Sequence, residues 1–472
     1  MMNNVTMELT QEVNLLESEI WSIAHRVWEL SELSLEERES SAIEADYLTQ
    51  KGFTLSDHGI GGLDYAWIAT WSNGSGGPVI GIAAEFDALP GLGNEIASVK
   101  TPRKDGNPNG HGCGHNLIGA GAIGAAVALR NYLEKHQINA TIKVFGCPAE
   151  ELISGKNYMA KAGAFDGLDA CLHWHPLNKT TAFNVKTPAA TTIKIEFFGK
   201  TSHSGLAPWL GRSAAHAAEI FTHGINAMRE HILPDSRVHY LVEKAGEAPN
   251  VVSDYSRVMI GYRGVNAENV RAQAAWIKDI AKGAALATQT REQVTSLSGC
   301  YDILPNQAIA DKIMFHLNEL GASEWSTEEQ EFTKQMQKAE GYEQSGMSEV
   351  ITPDPKGLVI GGASDVGDIS YITPTSGLVT SCWPTGFAPH TWAATACNGM
   401  SIGKKGLMLA TKVLALTSLD LINDREFLAN AKNEFKERTG GKPYLSICEA
   451  ETPPLAAEHV HHVDTHDAVH HL

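Results

Sequence analysis

The sequence lacks the features that mark secretion, membrane insertion or nucleic-acid binding. Its first residues contain neither the basic segment nor the apolar core of a signal peptide. No window approaches the run of about 20 apolar residues that a membrane span requires. Lysine and arginine number 37 against 55 aspartates and glutamates, which gives a formal net charge of −18. Because such a chain repels polyanions, neither nucleic acids nor anionic membranes are expected as partners.

Cysteine is sparse and irregularly spaced. Seven cysteines are scattered over 472 residues, which favours reduced thiols and predicts a cytoplasmic protein rather than a disulfide framework. The sequence shows no repeat at the period of a solenoid. The chain is long, and 43% of its residues are hydrophobic, which is enough to form a core in more than one domain. These values predict a sizeable soluble enzyme of two or more domains, each with its own core.

Three apolar segments, at residues 79–90, 141–151 and 170–176, contain side chains that can bind a metal near their carboxyl ends. The first two carry pairs of carboxylates, and the third carries two histidines. Helical patterns between these segments predict βαβ units and a largely parallel, buried sheet. Open α/β sheets place their ligand crevice at the carboxyl ends of the strands, so we expect these side chains to share one crevice.

A glycine-rich stretch at residues 110–116 places Cys113 and His115 on alternate positions, where both can face one ion. Glycines also serve tight turns, and such a pair occurs by chance, so the stretch alone leaves both interpretations open. The adjacent Glu150 and Glu151 can divide two tasks, one binding the ion and the other accepting a proton from the attacking water. The alternative is a solvated pair at the start of a helix, where negative charge is favoured.

The histidines carry less information when each is taken alone. His173 and His175 flank Trp174 on alternate positions, so one of the two is expected to face the crevice and the other to lie in the core or behind a ligand. His390 is distant in sequence, and a lone histidine is usually a surface or core residue.

The predicted order of strands and helices changes twice along the chain, which divides it into sections. Residues 189–300 alternate strands and helices in a way that predicts a small inserted α+β domain. Residues 1–188 and 301–450 are predicted to form a discontinuous catalytic domain. Its fold class is α/β, with a mixed, mostly parallel sheet flanked by helices. Residues 451–472 are rich in histidine and are expected to form a disordered tail that can bind metal loosely.

Several motifs together resemble those of the aminoacylase and carboxypeptidase-type dinuclear metallohydrolases. The similarity covers about residues 10 to 445 and is closest to the amidohydrolase branch, which contains hippurate hydrolases and indole-acetyl-amino-acid hydrolases. The motifs occur in the order and spacing of that family, and they are Glu85 to Pro90, Gly112 to His115, Glu150-Glu151, His175-Pro176, Gly199 to Gly205 with Pro208, Gly211 to Ala214, and Pro249 to Val252.

The resemblance implies two divalent metal ions in each copy of the chain. Zinc or manganese suits the donor set, with cobalt or nickel as alternatives. Glu150 corresponds to the general base, and Asp87 corresponds to a residue that orients a ligand. Cys113 would bridge the two ions. The ligands implied by the resemblance are Cys113, His115, Glu151, His175 and His390.

The resemblance also assigns roles within the inserted domain, which acts as a lid and dimerises. His203 corresponds to a histidine that reaches the site of the partner chain and stabilises the oxyanion. Asn250 and Arg263 correspond to residues that hold the substrate's carboxylate. The sequence departs from the family at two positions: Asn116 replaces an aspartate found in many relatives, and Glu85 stands where peptidase-type relatives have a metal-binding histidine.

These implications define an expected activity. We expect a metal-dependent amidohydrolase that cleaves small N-acyl or N-aroyl amino acids with a free carboxylate, such as p-aminobenzoyl-glutamate. A dipeptidase or deacetylase on the same scaffold is one alternative. An inactive structural or regulatory protein is another, although the presence of every implied ligand and of the base weighs against it. The expected assembly is a homodimer or a hetero-oligomer with a related chain.

Overall fold

The computed structural model describes residues 4–450 and 452–453, so the predicted tail lies almost wholly outside the described residues. The chain forms two compact units. Among the described residues, the first unit contains 4–186, 304–359 and 369–444, and the second contains 187–303, 360–368, 445–450 and 452–453.

The described residues form strands and helices in alternation along most of the chain. The strands are β1 (Thr54–His58), β2 (Trp67–Asn73), β3 (Val79–Glu85), β4 (Ala140–Cys147), β5 (Ala170–Leu177), β6 (Thr181–Ala182), β7 (Ala189–Phe198), β8 (Arg237–Lys244), β9 (Tyr255–Gly264), β10 (Arg291–Cys300) and β11 (Thr375–Ser381). The helices are α1 (Asn4–Leu15), α2 (Glu17–Leu30), α3 (Arg38–Gln50), α4 (His115–Lys135), α5 (Gly155–Lys161), α6 (Ala214–Met228), α7 (Ala267–Thr288), α8 (Gln307–Leu320), α9 (Thr327–Ala339), α10 (Val366–Ser370), α11 (Trp392–Asn398), α12 (Ser401–Asn423) and α13 (Arg425–Thr439), with short 3-10 turns at Ile60–Gly62, Pro208–Leu210 and Arg229–His231.

The first unit is built on a seven-stranded mixed sheet of order β1-β2-β4-β3-β5-β11-β6. The four central strands β4, β3, β5 and β11 run parallel, whereas β1, β2 and β6 pair antiparallel with their neighbours. Parallel neighbours need long crossovers, and the chain between β3 and β4 supplies one through α4. The predicted α/β class is confirmed, with parallel pairing confined to the centre of the sheet.

Helix α4 packs on this sheet as a nearly continuous buried element. Its many alanines and glycines have small side chains or none, so side chains of neighbouring elements approach its backbone closely. Gly121 leaves room for the ring of Trp174 on β5, whose Nε1 donates a hydrogen bond to the carbonyl of Ile118 at 3.0 Å. The histidine that begins α4 is therefore held on a rigid support at the edge of the sheet.

Helix α12 packs against α4. In the part of the chain that the structure describes, it is the one helix long and apolar enough to cross a membrane, and 83% of its most apolar window is buried inside the structure. That burial is typical of the central helix of a folded core. All seven cysteines are free and buried.

The second unit contains a four-stranded antiparallel sheet of order β10-β7-β9-β8. Residues of β9 alternate between buried and half-buried, and α6 and α7 cover the buried face. Phe197 on β7 packs against Phe221 on α6 within this small core. Strand β8 lies at the edge of the sheet and is largely exposed. The α+β character predicted for the insertion is confirmed.

Candidate metal centre

Three parallel strands bring potential metal ligands to one edge of the first unit's sheet. Glu85 is the last residue of β3, the Glu150-Glu151 pair follows β4, and His175 lies near the end of β5. Glu85 is paired in register with Cys147, so the two strands end at the same level. The carboxyl ends of parallel strands share one edge, and this edge therefore concentrates carboxylates and imidazoles.

The glycine-rich stretch before α4 adds a thiol and a further imidazole. Gly114 has a φ of 83°, in the left-handed region that favours glycine, and it reverses the chain directly before His115 begins the helix. The Sγ atom of Cys113 lies 3.2 Å from the Nε2 atom of His175. His175 donates its Nδ1 hydrogen to the carbonyl of Pro176, so its Nε2 lone pair faces the sulfur.

The donor atoms fall into three groups, within each of which all atoms lie within 4.8 Å of one another. Cys113 belongs to two of these groups with different partners, and a thiolate shared in this way can bridge two ions. The groups are Cys113 with His115 and His175, Cys113 with Glu151 and His390, and Glu85 with His115 and Glu150.

His390 joins this site from the far end of the chain. Its backbone N–H donates to the carbonyl of Gly112 at 2.9 Å, and its φ of 63° lies in the left-handed region. This conformation places its Nε2 atom 3.2 Å from an oxygen of Glu151. The side chain is 53% exposed, so it lies at the mouth of the site. Spacing along the chain carried no signal for this contact, whereas the family resemblance did.

Asp87 orients His115. Its Oδ1 accepts the Nδ1 hydrogen of His115 at 2.9 Å, while its Oδ2 accepts bonds from the Ser34 hydroxyl at 2.7 Å and the Glu151 N–H at 3.0 Å. Burial alone would raise the pKa of Asp87, but His115 and these hydrogen bonds outweigh it and lower the pKa to about 2. The ionised carboxylate keeps the proton on Nδ1 and directs the Nε2 lone pair toward the other donors.

Two buried atoms in this cluster have no hydrogen-bond partner among the described residues. They are Nε2 of His115 and Oε1 of Glu151. The Nε2 atom lies 3.5 Å from Glu85 and 3.8 Å from an oxygen of each of Glu150 and Glu151. Unsatisfied polar atoms and converging carboxylates are costly inside a protein unless a cation lies between them.

The electrostatics of the cluster agree with this interpretation. Burial raises the pKa of the Cys113 thiol well above its usual range, and the charge of Glu151 adds to the rise. Burial by itself lowers the pKa of His115, but the charges of Asp87 and Cys113 outweigh it and raise the pKa well above its usual value. The site therefore attracts positive charge, and its sulfur, nitrogen and oxygen donors fit divalent metal ions.

The second histidine of the β5 pair is a core residue. His173 packs against Phe183 with 5.4 Å between the ring centroids, and it belongs to none of the three donor groups. Burial lowers the pKa of His173 to about 4, so the ring is neutral. His173 therefore lies in the core, whereas His175 lies beside Cys113.

Asn116 serves the scaffold. Its Nδ2 donates to the carbonyl of Ala24 on α2 at 3.1 Å and to the carbonyl of Asn398 on α11 at 3.2 Å. The carboxylate that contacts His115 is Asp87. With asparagine at position 116, His115 is still oriented by Asp87. The uncharged Asn116 side chain links α4 to α2 and α11 by hydrogen bonds.

Lys156 is a site residue that the sequence analysis did not identify. Its side chain is fully buried, and its Nζ atom lies 2.7 Å from Oε1 of Glu85. Burial alone would raise the pKa of Glu85, but the charges of Lys156 and His115 lower it below its usual value. Glu85 therefore stays ionised and faces His115 from the position that peptidase-type relatives give to a histidine. Lysine is not a metal ligand, so its spacing carried no signal.

Three further predicted residues belong to the second unit. His203 is exposed, and its Nδ1 accepts the backbone N–H groups of Gly205 and Leu206 at 3.2 and 3.1 Å. The ring proton is therefore on Nε2, where it can be donated. The Asn250 carbonyl accepts the N–H of Ser204. Arg263 on β9 donates from its Nη1 atom to the carbonyl of Gly361 at 2.5 Å.

A mixed α/β sheet whose strand ends gather thiol, imidazole and carboxylate donors defines a metal-dependent hydrolase. The family model for peptidase family M20/M25/M40 matches residues 81–390, and the chain belongs to this family. The resemblance indicated by the sequence motifs is confirmed.

The chain is similar over most of its length to one characterised relative. It is 33% identical over 449 residues to one of the subunits of p-aminobenzoyl-glutamate hydrolase from Escherichia coli, and the match covers 89% of this chain and 93% of the relative. Sequence motifs at residues 237–240 and 365–368 indicate the same relative. The chain is also 27% identical to the Xaa-Arg dipeptidase of Mus musculus, over 79% of this chain and 78% of that protein.

Solved structures share the fold. The aminobenzoyl-glutamate utilization protein of Klebsiella pneumoniae superposes with a TM-score of 0.62 at 18% identity, covering 88% of this chain and 99% of that one. A dinuclear metal-binding peptidase of the M20 family from Bacillus subtilis gives a TM-score of 0.57 at 18% identity, with coverage of 87% and 99%.

The pKa shifts predict how metal binding depends on pH. Burial and the charge of Glu151 raise the pKa of Cys113, and the charges of Asp87 and Cys113 raise the pKa of His115, so both side chains hold their protons more firmly than they would in water. A metal must displace these protons, so its apparent affinity should fall as the pH falls. Calorimetric titration of the metal-free enzyme with Zn²⁺, in buffers of different ionisation enthalpy, measures the protons released.

The variant Cys113→Ser should release about one proton fewer than the wild-type enzyme and bind Zn²⁺ more weakly. A matched control is Cys171→Ser, since Cys171 is also buried but belongs to none of the three donor groups. It should leave proton release unchanged. Equal release by Cys113→Ser and the wild-type enzyme would show that the thiol is not a ligand.

Proposed function

We propose that this enzyme hydrolyses the amide bond of small N-acyl or N-aroyl amino acids that carry a free carboxylate, such as p-aminobenzoyl-glutamate. The observation that carries the proposal is the pair of adjacent carboxylates at the donor cluster. Glu151 groups with Cys113 and His390, whereas Glu150 groups with His115 and Glu85. The similarity to a hydrolase of p-aminobenzoyl-glutamate over 93% of that protein's length supports the substrate class.

The chemistry divides between the two carboxylates. Bound divalent ions lower the pKa of water and polarise the carbonyl of the amide. Glu151 serves as a ligand together with Cys113, His115, His175 and His390. Glu150, which is buried beside them, accepts the proton of the attacking water and returns it to the leaving amine. We expect zinc or manganese in the two positions, with cobalt or nickel as alternatives.

The second unit supplies the groups that recognise the substrate. The Nε2–H of His203 is oriented as a donor by the two backbone bonds to Nδ1, which suits an oxyanion that forms during attack. Asn250 and Arg263 carry the amide and guanidinium donors that bind a carboxylate. We assign them to the free carboxylate of the substrate.

A second candidate function is that of a dipeptidase. It is supported by the 27% identity to an Xaa-Arg dipeptidase over 79% of this chain. Both reactions cleave an amide next to a free carboxylate, so the same site chemistry serves either. A chromatographic screen of p-aminobenzoyl-glutamate, hippurate and dipeptides with basic carboxyl-terminal residues separates them. We expect the highest kcat/KM for the aroyl amino acid.

We further propose that the enzyme is oligomeric. The exposed edge strand β8 can pair with a second copy of the chain, and His203 would then reach the site of the neighbouring copy. The second candidate partner is a related but different chain. This option is supported by 29% identity, over 42% of this chain, to another of the subunits of p-aminobenzoyl-glutamate hydrolase from Escherichia coli.

The two carboxylates should respond differently to the same substitution. Glu150→Gln should leave the metal content unchanged and lower kcat by about 10²–10⁴, because a base is lost without a ligand. Glu151→Gln should lose metal. Elemental analysis together with steady-state kinetics distinguishes the two variants, and each serves as the control for the other. The opposite pattern would mean that the roles are exchanged, and full activity of Glu150→Gln with intact metal content would exclude it as the base.

His203 should act across the dimer. Removal of an oxyanion donor costs roughly 10²–10³ in kcat, so His203→Ala should be nearly inactive with its metals in place. Refolding His203→Ala together with Glu150→Gln should restore activity, because each mixed dimer has one site with both groups intact. His216→Ala is a control, since His216 lies on α6 of the same unit. Inactive mixed dimers, verified by native mass spectrometry, would rule out a shared site.

A further inference from the structure

The turn that carries the two catalytic carboxylates starts in a strained conformation. Ala149 precedes Glu150 and has a φ of 57°, in the left-handed region that residues with a Cβ atom seldom occupy. It is completely buried. The turn is closed on its other side by a 2.6 Å bond from the Ile153 N–H to the Glu150 carbonyl. Such a conformation persists when surrounding groups hold it in place.

Glu37 is the side chain that holds the start of this turn. Its Oε1 accepts the backbone N–H of Ala149 at 2.7 Å. Glu37 occupies the N-cap position of α3, yet its side chain makes no capping bond to its own helix. It is fully buried and reaches instead to the end of β4. The residue therefore gives up the usual local role of its position for a contact beside the active site.

Asp87 anchors the other side of Glu150. Its Oδ2 accepts the N–H of Glu151 at 3.0 Å and the hydroxyl of Ser34 at 2.7 Å. Ser34 and Glu37 come from the same loop before α3. The backbone N–H groups on both sides of Glu150 are thus bound by buried carboxyl groups.

The pKa values of Glu37 and Asp87 are shifted in opposite directions. Burial raises the pKa of Glu37 well above its usual value, and the charge of Asp87 raises it further. The Glu37 oxygen accepts the N–H of Ala149, and the side-chain oxygen of an amide can accept the same hydrogen bond. Glutamine is therefore a close chemical substitute at this position.

We propose that Glu37 is a positioning residue for the hydrolysis: it keeps Ala149 in the left-handed conformation and thereby fixes the direction in which Glu150 presents its carboxylate. The inference rests on the role proposed above for Glu150 as the base. Glu37 itself belongs to none of the three donor groups. It acts through the backbone of the turn.

The chain offers a matched control on the same helix. Glu44 on α3 is also fully buried, and burial raises its pKa as well. Its carboxyl group faces Gly119 of α4 rather than the turn, and its oxygens have no hydrogen-bond partner among the described residues. Glu44→Met thus removes a buried carboxyl group from α3 and leaves the N–H of Ala149 with its partner.

The test compares kinetics at full metal occupancy. Glu37→Met should lower kcat by at least about tenfold with KM changed by less than about twofold, because the loss concerns alignment of the base and not substrate binding. Glu37→Gln should keep most of the activity, since it restores the hydrogen bond. Glu44→Met should leave kcat unchanged even where it lowers the melting temperature.

A second substitution tests the mechanism through Ala149. Glycine occupies the left-handed region without strain, so in an Ala149→Gly background the turn should depend less on Glu37. The loss of kcat caused by Glu37→Met should then shrink at least about threefold, a coupling that a double-mutant cycle measures. Equal losses in both backgrounds would overturn the proposal, as would the same loss of kcat in Glu44→Met.

These outcomes separate the positioning role from the function on which it rests. If Glu150→Gln is inactive with intact metals while Glu37→Met keeps wild-type kcat, the positioning role alone is wrong. If Glu150→Gln keeps its activity, the proposed base is wrong, and the positioning role falls with it.

Discussion

The need to place positive charge among buried anionic donors is the constraint on which the rest of the site depends. Glu85, Asp87, Glu150 and Glu151 lie at the ends of two neighbouring strands beside a buried thiol. The protein balances part of this charge itself, through Lys156 against Glu85 and His115 against Asp87. The two atoms of the cluster that remain unpaired among the described residues, Nε2 of His115 and Oε1 of Glu151, lie 3.8 Å apart, and a bound cation would complete the charge balance.

Asp87 links the parts of the site that the sequence keeps far apart. One carboxylate binds the imidazole that begins α4, the backbone of the turn after β4 and the loop before α3. Loss of any of these contacts would shift the others, because all three elements meet at the same two oxygens. Asp87 therefore connects the turn that carries Glu150 with the helix that begins at His115, and catalysis by alignment depends on connections of this kind.

Local pattern was enough to predict part of the site. Apolar strands that end in carboxylates, and the alternation of Cys113 with His115, were sufficient to indicate a metal site at the edge of a parallel sheet. His390 was assigned through family resemblance, because its approach depends on a left-handed backbone and a bond to Gly112 that no spacing rule describes. Lys156 was missed because lysine is not a typical metal ligand, and Glu37 was missed because nothing in the sequence indicates that its side chain reaches the N–H of Ala149.

The measurement that tests the central claim most directly is the anomalous scattering of crystals grown with Zn²⁺. We expect two peaks, one within bonding distance of Cys113, His115 and His175 and the other within bonding distance of Cys113, Glu151 and His390, with the sulfur shared between them. A single ion, or two ions that both avoid the Cys113 sulfur, would contradict a dinuclear centre bridged by this thiolate.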